Sequence, residues 1–284
     1  MIIVTGATGH VGGELVAQLA AAHQPVRAMT RRPKELAAPS GVDVVFGDSD
    51  DPASLDRAFD GAERAFLMSA QAVGSAAQPT HDLRLVRAAQ RAGVRHIVKL
   101  SVYGVRGGDV LDIWHREAEA VVMDSGLDWT LLRPGRFMSN ALYWAPMIRR
   151  GGTVHIPFAS RPAAPIDPAD IAAIAAAALT TGDHRNVAYQ LSGPEVLTPA
   201  DELRILATTL GRPLRLVEPT IDEAKAGLLR SGMSESVVEA VVARVLTGGE
   251  GAEVLPTVEQ VLGRSPVTFD VWTRKHAGVF LGAD

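Results

Sequence analysis

The chain has no cysteine among its 284 residues. A disulfide framework, a thiolate zinc site, an iron–sulfur cluster and a cysteine nucleophile are therefore excluded. Aromatic residues make up only 5% of the chain, too few to suggest a base-stacking platform for single-stranded nucleic acid. Basic charge is in short supply as well. The chain carries 28 Lys and Arg against 32 Asp and Glu, a formal charge of −4, which argues against a nucleic-acid-coating surface. Arg84, Arg87, Arg91 and Arg95 recur at near-helical spacing and read as a solvated helix face. Long apolar runs are missing too. The longest, Ile171 to Leu179, is mostly alanine and far short of the ~18 residues of a membrane span. Met1 leads straight into Ile2-Ile3-Val4 and a glycine loop, without a basic region or cleavage site, so cytoplasmic residence is expected. What remains, 47% hydrophobic and 21% charged, is the composition of an ordinary globular protein long enough to bury a sizeable core.

Short β-branched runs punctuate the first half, at residues 2–5, 25–30, 42–46, 64–68, 96–102 and 129–132. Amphipathic stretches of helical length lie between most of them, at 11–22, 54–59, 81–92 and 114–124. This alternation predicts βαβ units and a parallel sheet. Asp51-Pro52 reads as an N-cap followed by proline in the first turn. After Pro134 the rhythm loosens. Helical patterns at 170–179, 199–210, 221–229, 236–246 and 271–280 are interleaved with short strand candidates at 153–156, 187–191 and 214–217. The expected fold is α/β: a Rossmann-type doubly wound parallel sheet over residues 1–150, rejoined by strands from 153–192. A smaller, mostly helical C-terminal part at 195–284 is expected to cover the substrate.

The segment Thr5-Gly6-Ala7-Thr8-Gly9-His10-Val11-Gly12 carries the most information. A buried strand enters it and a helix leaves it. Glycines there permit a tight turn and a close backbone approach to a pyrophosphate, and the helix N-terminus offers free N–H groups and partial positive charge. Gly6, Thr8, Gly9, His10, Val11 and Gly12 are thus expected to contact a dinucleotide. After the second strand, Thr30-Arg31-Arg32-Pro33-Lys34 holds no acidic residue. An acid there would favour a free ribose 2′-hydroxyl, whereas Arg31 and Arg32 can grip a 2′-phosphate. NADP(H) is therefore preferred over NAD(H). Asp48 and Ser49, after the third strand, are placed for the adenine, although Asp48 could equally cap a turn. Met68, Ser69 and Ala70, after the fourth strand, are further cofactor candidates.

Together these residues resemble the short-chain dehydrogenase/reductase superfamily, and within it the atypical NmrA-like branch. Gly6-Ala7-Thr8-Gly9-x-x-Gly12 and Thr30-Arg31-Arg32-Pro33 match that branch. So do the run from Ser125 to Asn140, which contains Leu131-Leu132-Arg133-Pro134-Gly135, and Pro165-Ile166-Asp167-x-x-Asp170-Ile171-Ala172. The resemblance reaches to about residue 200. It implies NAD(P) binding, with Pro134, Gly135 and Phe137 passing the nicotinamide. The branch contains quinone, dye and ether reductases, tailoring enzymes and redox-sensing regulators without turnover.

Most members of the superfamily use a Ser followed by Tyr-x-x-x-Lys. Ser101 fits the serine, at the end of the fifth strand. With Glu119 aligned to the acid often found four positions after the lysine, His115 falls in the lysine's place and Leu111 in the tyrosine's. Tyr103 is nearby but has no lysine four residues on; that segment, Tyr103-Gly104-Val105-Arg106-Gly107, carries none. Ser101, His115 and Tyr103 are the candidate catalytic groups, with Glu119 one turn beyond His115 and within reach to orient its ring. A structural His–Glu pair is the alternative. Since no third ligand accompanies the pair, no metal is expected. Lys99 reads as a carboxylate-paired lysine at the sheet rim.

Phe137, Met138, Leu142, Tyr143, Trp144 and Met147 form an apolar, aromatic-enriched cluster. It reads either as a pocket for a flat apolar substrate or as a core patch. Tyr103, Phe137, Met138, Asn140 and Trp144 are the substrate candidates. The expected activity is NADPH-dependent reduction of a quinone or flat aromatic carbonyl compound, and the breadth of the resembled branch extends this to a tailoring step such as one on an aromatic polyketide. A non-catalytic NADP(H) sensor and a cofactor-assisted isomerase or dehydratase are the alternatives. The expected partner is a small molecule, not nucleic acid or membrane, and the chain is expected as a monomer or homodimer.

Overall fold

A computed structural model describes residues 1–104, 108–247 and 251–282. In chain order its elements begin β1 (Ile2–Val4), α1 (His10–Ala21), β2 (Val26–Thr30), β3 (Asp43–Phe46), α2 (Pro52–Phe59), β4 (Arg64–Leu67), α3 (Thr80–Arg91), β5 (His96–Leu100), α4 (Val110–Met123) and β6 (Asp128–Pro134). They continue with α5 (Ala145–Gly151), β7 (Thr153–His155), α6 (Pro168–Thr180), β8 (Val187–Leu191), α7 (Pro199–Thr209) and β9 (Arg215–Val217). The helices α8 (Ile221–Arg230), α9 (Glu235–Thr247), α10 (Thr257–Leu262), α11 (Phe269–Lys275) and α12 (Ala277–Leu281) complete them. Two compact units divide the chain, one comprising Met1–Pro134 and Pro168–Gln190, the other Gly135–Asp167 and Leu191–Asp284.

The first unit is built on a seven-stranded sheet of order β3-β2-β1-β4-β5-β6-β8. From β3 to β6 every neighbouring pair is parallel. All of Ile2, Ile3 and Val4 are buried, because helices cover both faces of the central strands. Strand order runs outward from β1 in one direction and from β4 in the other. The chain therefore reverses between these two strands, and the crevice beyond their carboxyl ends is where such sheets bind ligands. Helix α1 turns Val11, Leu15, Val16 and Leu19 to the core at helical spacing. It lies against alanine-rich α6, where Gln18 Nε2 donates to the Ala169 carbonyl at 3.0 Å. Asp51 caps α2, accepting from the backbone of Ala53 and Ser54, with Pro52 in the first turn. Lys99 is paired as expected, but in the interior rather than at a rim. Its Nζ lies 2.7 Å from Asp82 of α3, and both side chains are 4% exposed.

The second unit has its own core around Met138, Ile148, Leu206, Phe269, Trp272 and Phe280. Trp272 stacks on Phe269 and on His276, at ring separations of 5.5 and 4.4 Å. Capping boxes open α7 (Thr198 with Asp201) and α8 (Thr220 with Glu223).

Three expectations are corrected here. The strand at 153–155 does not rejoin the large sheet; it pairs in parallel with β9, and of the later strands only β8 joins. The first unit accordingly gives way at Pro134, not at 150, and resumes over 168–190. The helix expected across 271–280 is two helices, because His276 leaves helical geometry and turns its Nδ1 onto the Trp272 carbonyl at 2.8 Å. Among the described residues no helix is long and apolar enough to cross a membrane.

Candidate functional site

β1 ends at Val4, and Thr5 ties its exit to that of β4. Thr5 Oγ1 accepts the Met68 N–H at 2.8 Å and donates to the Met68 carbonyl at 3.2 Å. The chain then turns through Gly6, whose φ of +64° is left-handed and favours glycine. The Gly9 N–H closes that turn on the Gly6 carbonyl at 2.9 Å. Gly12 is required for a different reason: a Cβ on it would stand 2.2 Å from the Gly6 oxygen. Helix α1 starts at once. No side chain caps it and no acid occupies its first turn, so its leading N–H groups and its dipole are left for an anion.

This loop forms one end of a cleft of about 150 Å³ that opens to solvent. Thr5, Gly6 and Thr8 line that end. Met29, Thr30, Arg31 and Arg32 enter from the exit of β2, Gly47, Asp48 and Ser49 from that of β3, Met68 and Ala70 from that of β4, and His81 from α3.

The charges around the cleft are unequally committed. Arg32 Nη1 pairs with Glu35 at 2.8 Å. Arg31 is exposed and makes no ion pair among the described residues. Behind the lining residue His81, Asp50 Oδ1 takes Arg84 Nη1 at 2.5 Å and His81 Nε2 at 3.2 Å. The hydrogen bond from Arg84 holds the Asp50 carboxyl below the usual carboxylate range. Asp48 Oδ1 accepts the Asp50 N–H at 3.0 Å, so it does cap a turn, while the residue also lines the cleft.

A second polar cluster lies within the same unit. Ser101 Oγ donates to Glu119 Oε1 at 2.6 Å. Arg133 grips the same carboxylate in two-pronged fashion, Nε to Oε1 at 2.9 Å and Nη2 to Oε2 at 2.6 Å. That bond raises the Arg133 pKa further. Ser101 is 4% and Glu119 2% exposed. Without a substrate present, the serine's proton is directed to a buried carboxylate. Glu119, read as the group that orients His115, receives Ser101 and Arg133. His115 and Tyr103 are both half-buried, the Tyr103 N–H donating to the Pro134 carbonyl at 2.9 Å. Among the described residues no group of three or more His, Asp or Glu is arranged to hold a metal.

The sequence profile described as NAD(P)H-binding matches residues 6–182, from the glycine loop to the end of α6. The chain belongs to this family. It is an NAD(P)H-dependent oxidoreductase of the atypical short-chain dehydrogenase/reductase kind. The (4-alkanoyl-5-oxo-2,5-dihydrofuran-3-yl)methyl phosphate reductase of Streptomyces griseus is 43% identical over 99% of both chains. The NAD(P)H azoreductase of Xenophilus azovorans is 35% identical, again over 99% of both. The NADPH-dependent quinone oxidoreductase of Escherichia coli, solved in complex with NADPH, is 27% identical and superimposes with a TM-score of 0.79 over 98% of this chain and 99% of that one.

The cradle fits this family's cofactor in its own terms, since a helix N-terminus free of side-chain caps and a glycine that no Cβ could replace both await a close-packed anion. Of the cofactor residues expected from sequence, Gly6, Thr8, Arg31, Arg32, Asp48, Ser49, Met68 and Ala70 line one cleft. Gly9, His10 and Gly12 contribute the turn and the helix start. Val11 is 4% exposed and faces the core, so it offers only its backbone. Ser69 is half-buried, its Oγ accepting the Gln71 N–H at 3.3 Å. Gly135 and Phe137 belong to the second unit, where the Gly135 N–H meets the Leu191 carbonyl at 2.9 Å.

Among the substrate candidates Met138 is corrected. It is fully buried, because the 3₁₀ turn at Met138–Trp144 points it and Ala141 into the second unit's core. Leu142, Trp144 and Met147 pack partly against that core, so this part of the cluster is the core patch. Phe137 is half-buried, Asn140 exposed and Tyr143 80% exposed. Sequence reading missed Thr5, Met29 and His81 in the cleft. Thr5 alone carried a signal, as the first hydroxyl after the strand. His81 and Asp50 lie 31 positions apart, and no local pattern joins them.

Proposed function

We propose that the chain uses NADPH in preference to NADH to reduce a small, flat, electron-poor acceptor, a quinone or a conjugated carbonyl compound. The cofactor preference is supported by Arg31, a guanidinium at the cleft with no carboxylate partner among the described residues, and by the lack of any acid from Thr30 to Lys34. When bound, the dihydronicotinamide supplies a hydride, two electrons carried with one proton. The loop from Gly6 to Gly12 and the first turn of α1 hold the pyrophosphate, and Arg31 holds the 2′-phosphate.

The acceptor class is supported by one observation: the Ser101 hydroxyl donates to the buried Glu119 carboxylate at 2.6 Å. Reducing an isolated ketone creates an alkoxide that needs a proton as it forms. A quinone or conjugated carbonyl spreads that charge, and its product anion takes the remaining proton from water, so positioning alone suffices. The compounds in the relatives' names, an azo substrate, an alkanoyl oxodihydrofuran and a quinone, share this electron-poor conjugation.

The test is NADPH consumption, followed by near-ultraviolet absorbance against quinones, conjugated ketones, azo compounds and simple aliphatic ketones, with NADH in parallel. Turnover confined to the conjugated acceptors, with NADPH favoured, is expected. Faster reduction of aliphatic ketones, or equal use of NADH, overturns the reading.

A further inference from the structure

We propose that His81 reads the cofactor's purine, its Nδ1 accepting a hydrogen bond from the 6-amino group of adenine. The inference rests on the cofactor reading above and deepens it. The two ends of the cleft differ in chemistry. The glycine loop and α1 mark the phosphate end, and Arg31 and Arg32 follow at the exit of β2. Beyond the ribose a dinucleotide's base is left the remaining lining residues, Asp48, Ser49 and His81, the last held beside Ser49 through Asp50 and Arg84.

His81 is held firmly enough to act as a reader. Its N–H donates to Gln71 Oε1 at 2.9 Å, and the same oxygen takes the Thr80 hydroxyl at 3.3 Å. Its ring Nε2 sits 3.2 Å from Asp50 Oδ1. Arg84 fixes that carboxylate in turn, reaching Asp50 Oδ1 at 2.5 Å and the Ser49 carbonyl at 2.9 Å. An ionised carboxylate only accepts, so the ring hydrogen facing Asp50 must be on Nε2. In the neutral ring Nδ1 is then an acceptor. Adenine offers a 6-amino donor. Hypoxanthine carries a 6-oxo acceptor in that place and would set two acceptors against each other. Asp48, whose Oδ1 takes the Asp50 N–H at 3.0 Å, keeps Oδ2 to accept and is the competing reader; a preference for adenine that survives in His81→Leu belongs to it.

The experiment titrates the protein with NADPH and with its hypoxanthine counterpart, deamino-NADPH, following the fluorescence of the reduced nicotinamide at mildly alkaline pH. One hydrogen bond predicts a preference of about 2- to 12-fold for NADPH in the wild-type protein. In His81→Leu the ratio falls at least about twofold. His81→Gln, whose amide oxygen can accept, retains part of it. A wild-type ratio of one overturns the role of His81 without touching the cofactor reading, and so does a ratio unchanged in His81→Leu. Failure of the wild-type protein to bind either dinucleotide overturns both. The wild-type comparison needs no variant to fold.

Discussion

Replacing Gly12 with alanine is the sharpest test of the cradle, because the outcome follows from a distance. The added Cβ would lie 2.2 Å from the Gly6 oxygen and 2.8 Å from its carbonyl carbon. Both are backbone atoms, with no flexible side chain to swing aside. Ordinary contact begins near 3.4 Å, so α1 and the turn must separate by roughly 1 Å. Overpacking of this kind costs about 1–3 kcal/mol of stability. Binding suffers more, since the same shift misplaces several N–H groups aimed at one anion. Losing two bonds to a charged group, at about 1.5–3 kcal/mol each, predicts a fall in NADPH affinity of at least ~100-fold. The control is one residue away. A Cβ on Gly13 meets only the Ala7 oxygen, at 3.4 Å, and the position is helical. Gly13→Ala should therefore bind normally and gain up to ~1 kcal/mol from helix propensity. Calorimetric titration with NADPH and thermal unfolding of both variants decide the matter. Normal binding by Gly12→Ala, or equal damage in the two, refutes the reasoning.

The two arginines should differ. Arg31→Ala is expected to weaken NADPH binding about 10-fold or more and leave NADH nearly unchanged, whereas Arg32→Ala does less because Glu35 already holds that guanidinium at 2.8 Å; titrations with both cofactors check this. Asp82→Asn strands the buried Lys99 ammonium and should cost about 3–5 kcal/mol, read by urea unfolding, while Lys99→Met with Asp82→Leu recovers most of that loss. His96 supplies a pH dependence. Burial, only partly opposed by Asp128, pushes its imidazole from 6.5 down to about 4. The folded state thus prefers the neutral ring, its stabilisation is complete above pH 6.5, and it is lost as pH falls toward 4. The amplitude is at most about 3 kcal/mol, and urea midpoints across this range should flatten in His96→Gln.

Legibility in the sequence followed the range of the interactions. The glycine loop was readable because strand, turn and helix start are consecutive, and each glycine answers a local demand: a positive φ at Gly6, a close approach at Gly12. The capped start of α2 at Asp51-Pro52 was readable for the same reason. What escaped depends on partners far apart in sequence. The 3₁₀ turn at Met138–Trp144 hid its inward face, since apolar residues suit a pocket and a core equally, and only the surrounding Ile148, Leu206 and Phe269 decide between them. Glu119 shows the limit most clearly. Its spacing from His115 pointed only to a partner on its own helix, whereas its carboxylate also takes Ser101, just past β5, and Arg133 of β6, 18 and 14 positions away. That exchange carries chemical weight. A serine whose proton goes to a buried carboxylate is a poor acid, and a carboxylate bound by a guanidinium is a poor base. The network therefore fixes the ends of two strands and one helix at the sheet's carboxyl edge, and it favours the proposed acceptors, which need little help with their proton.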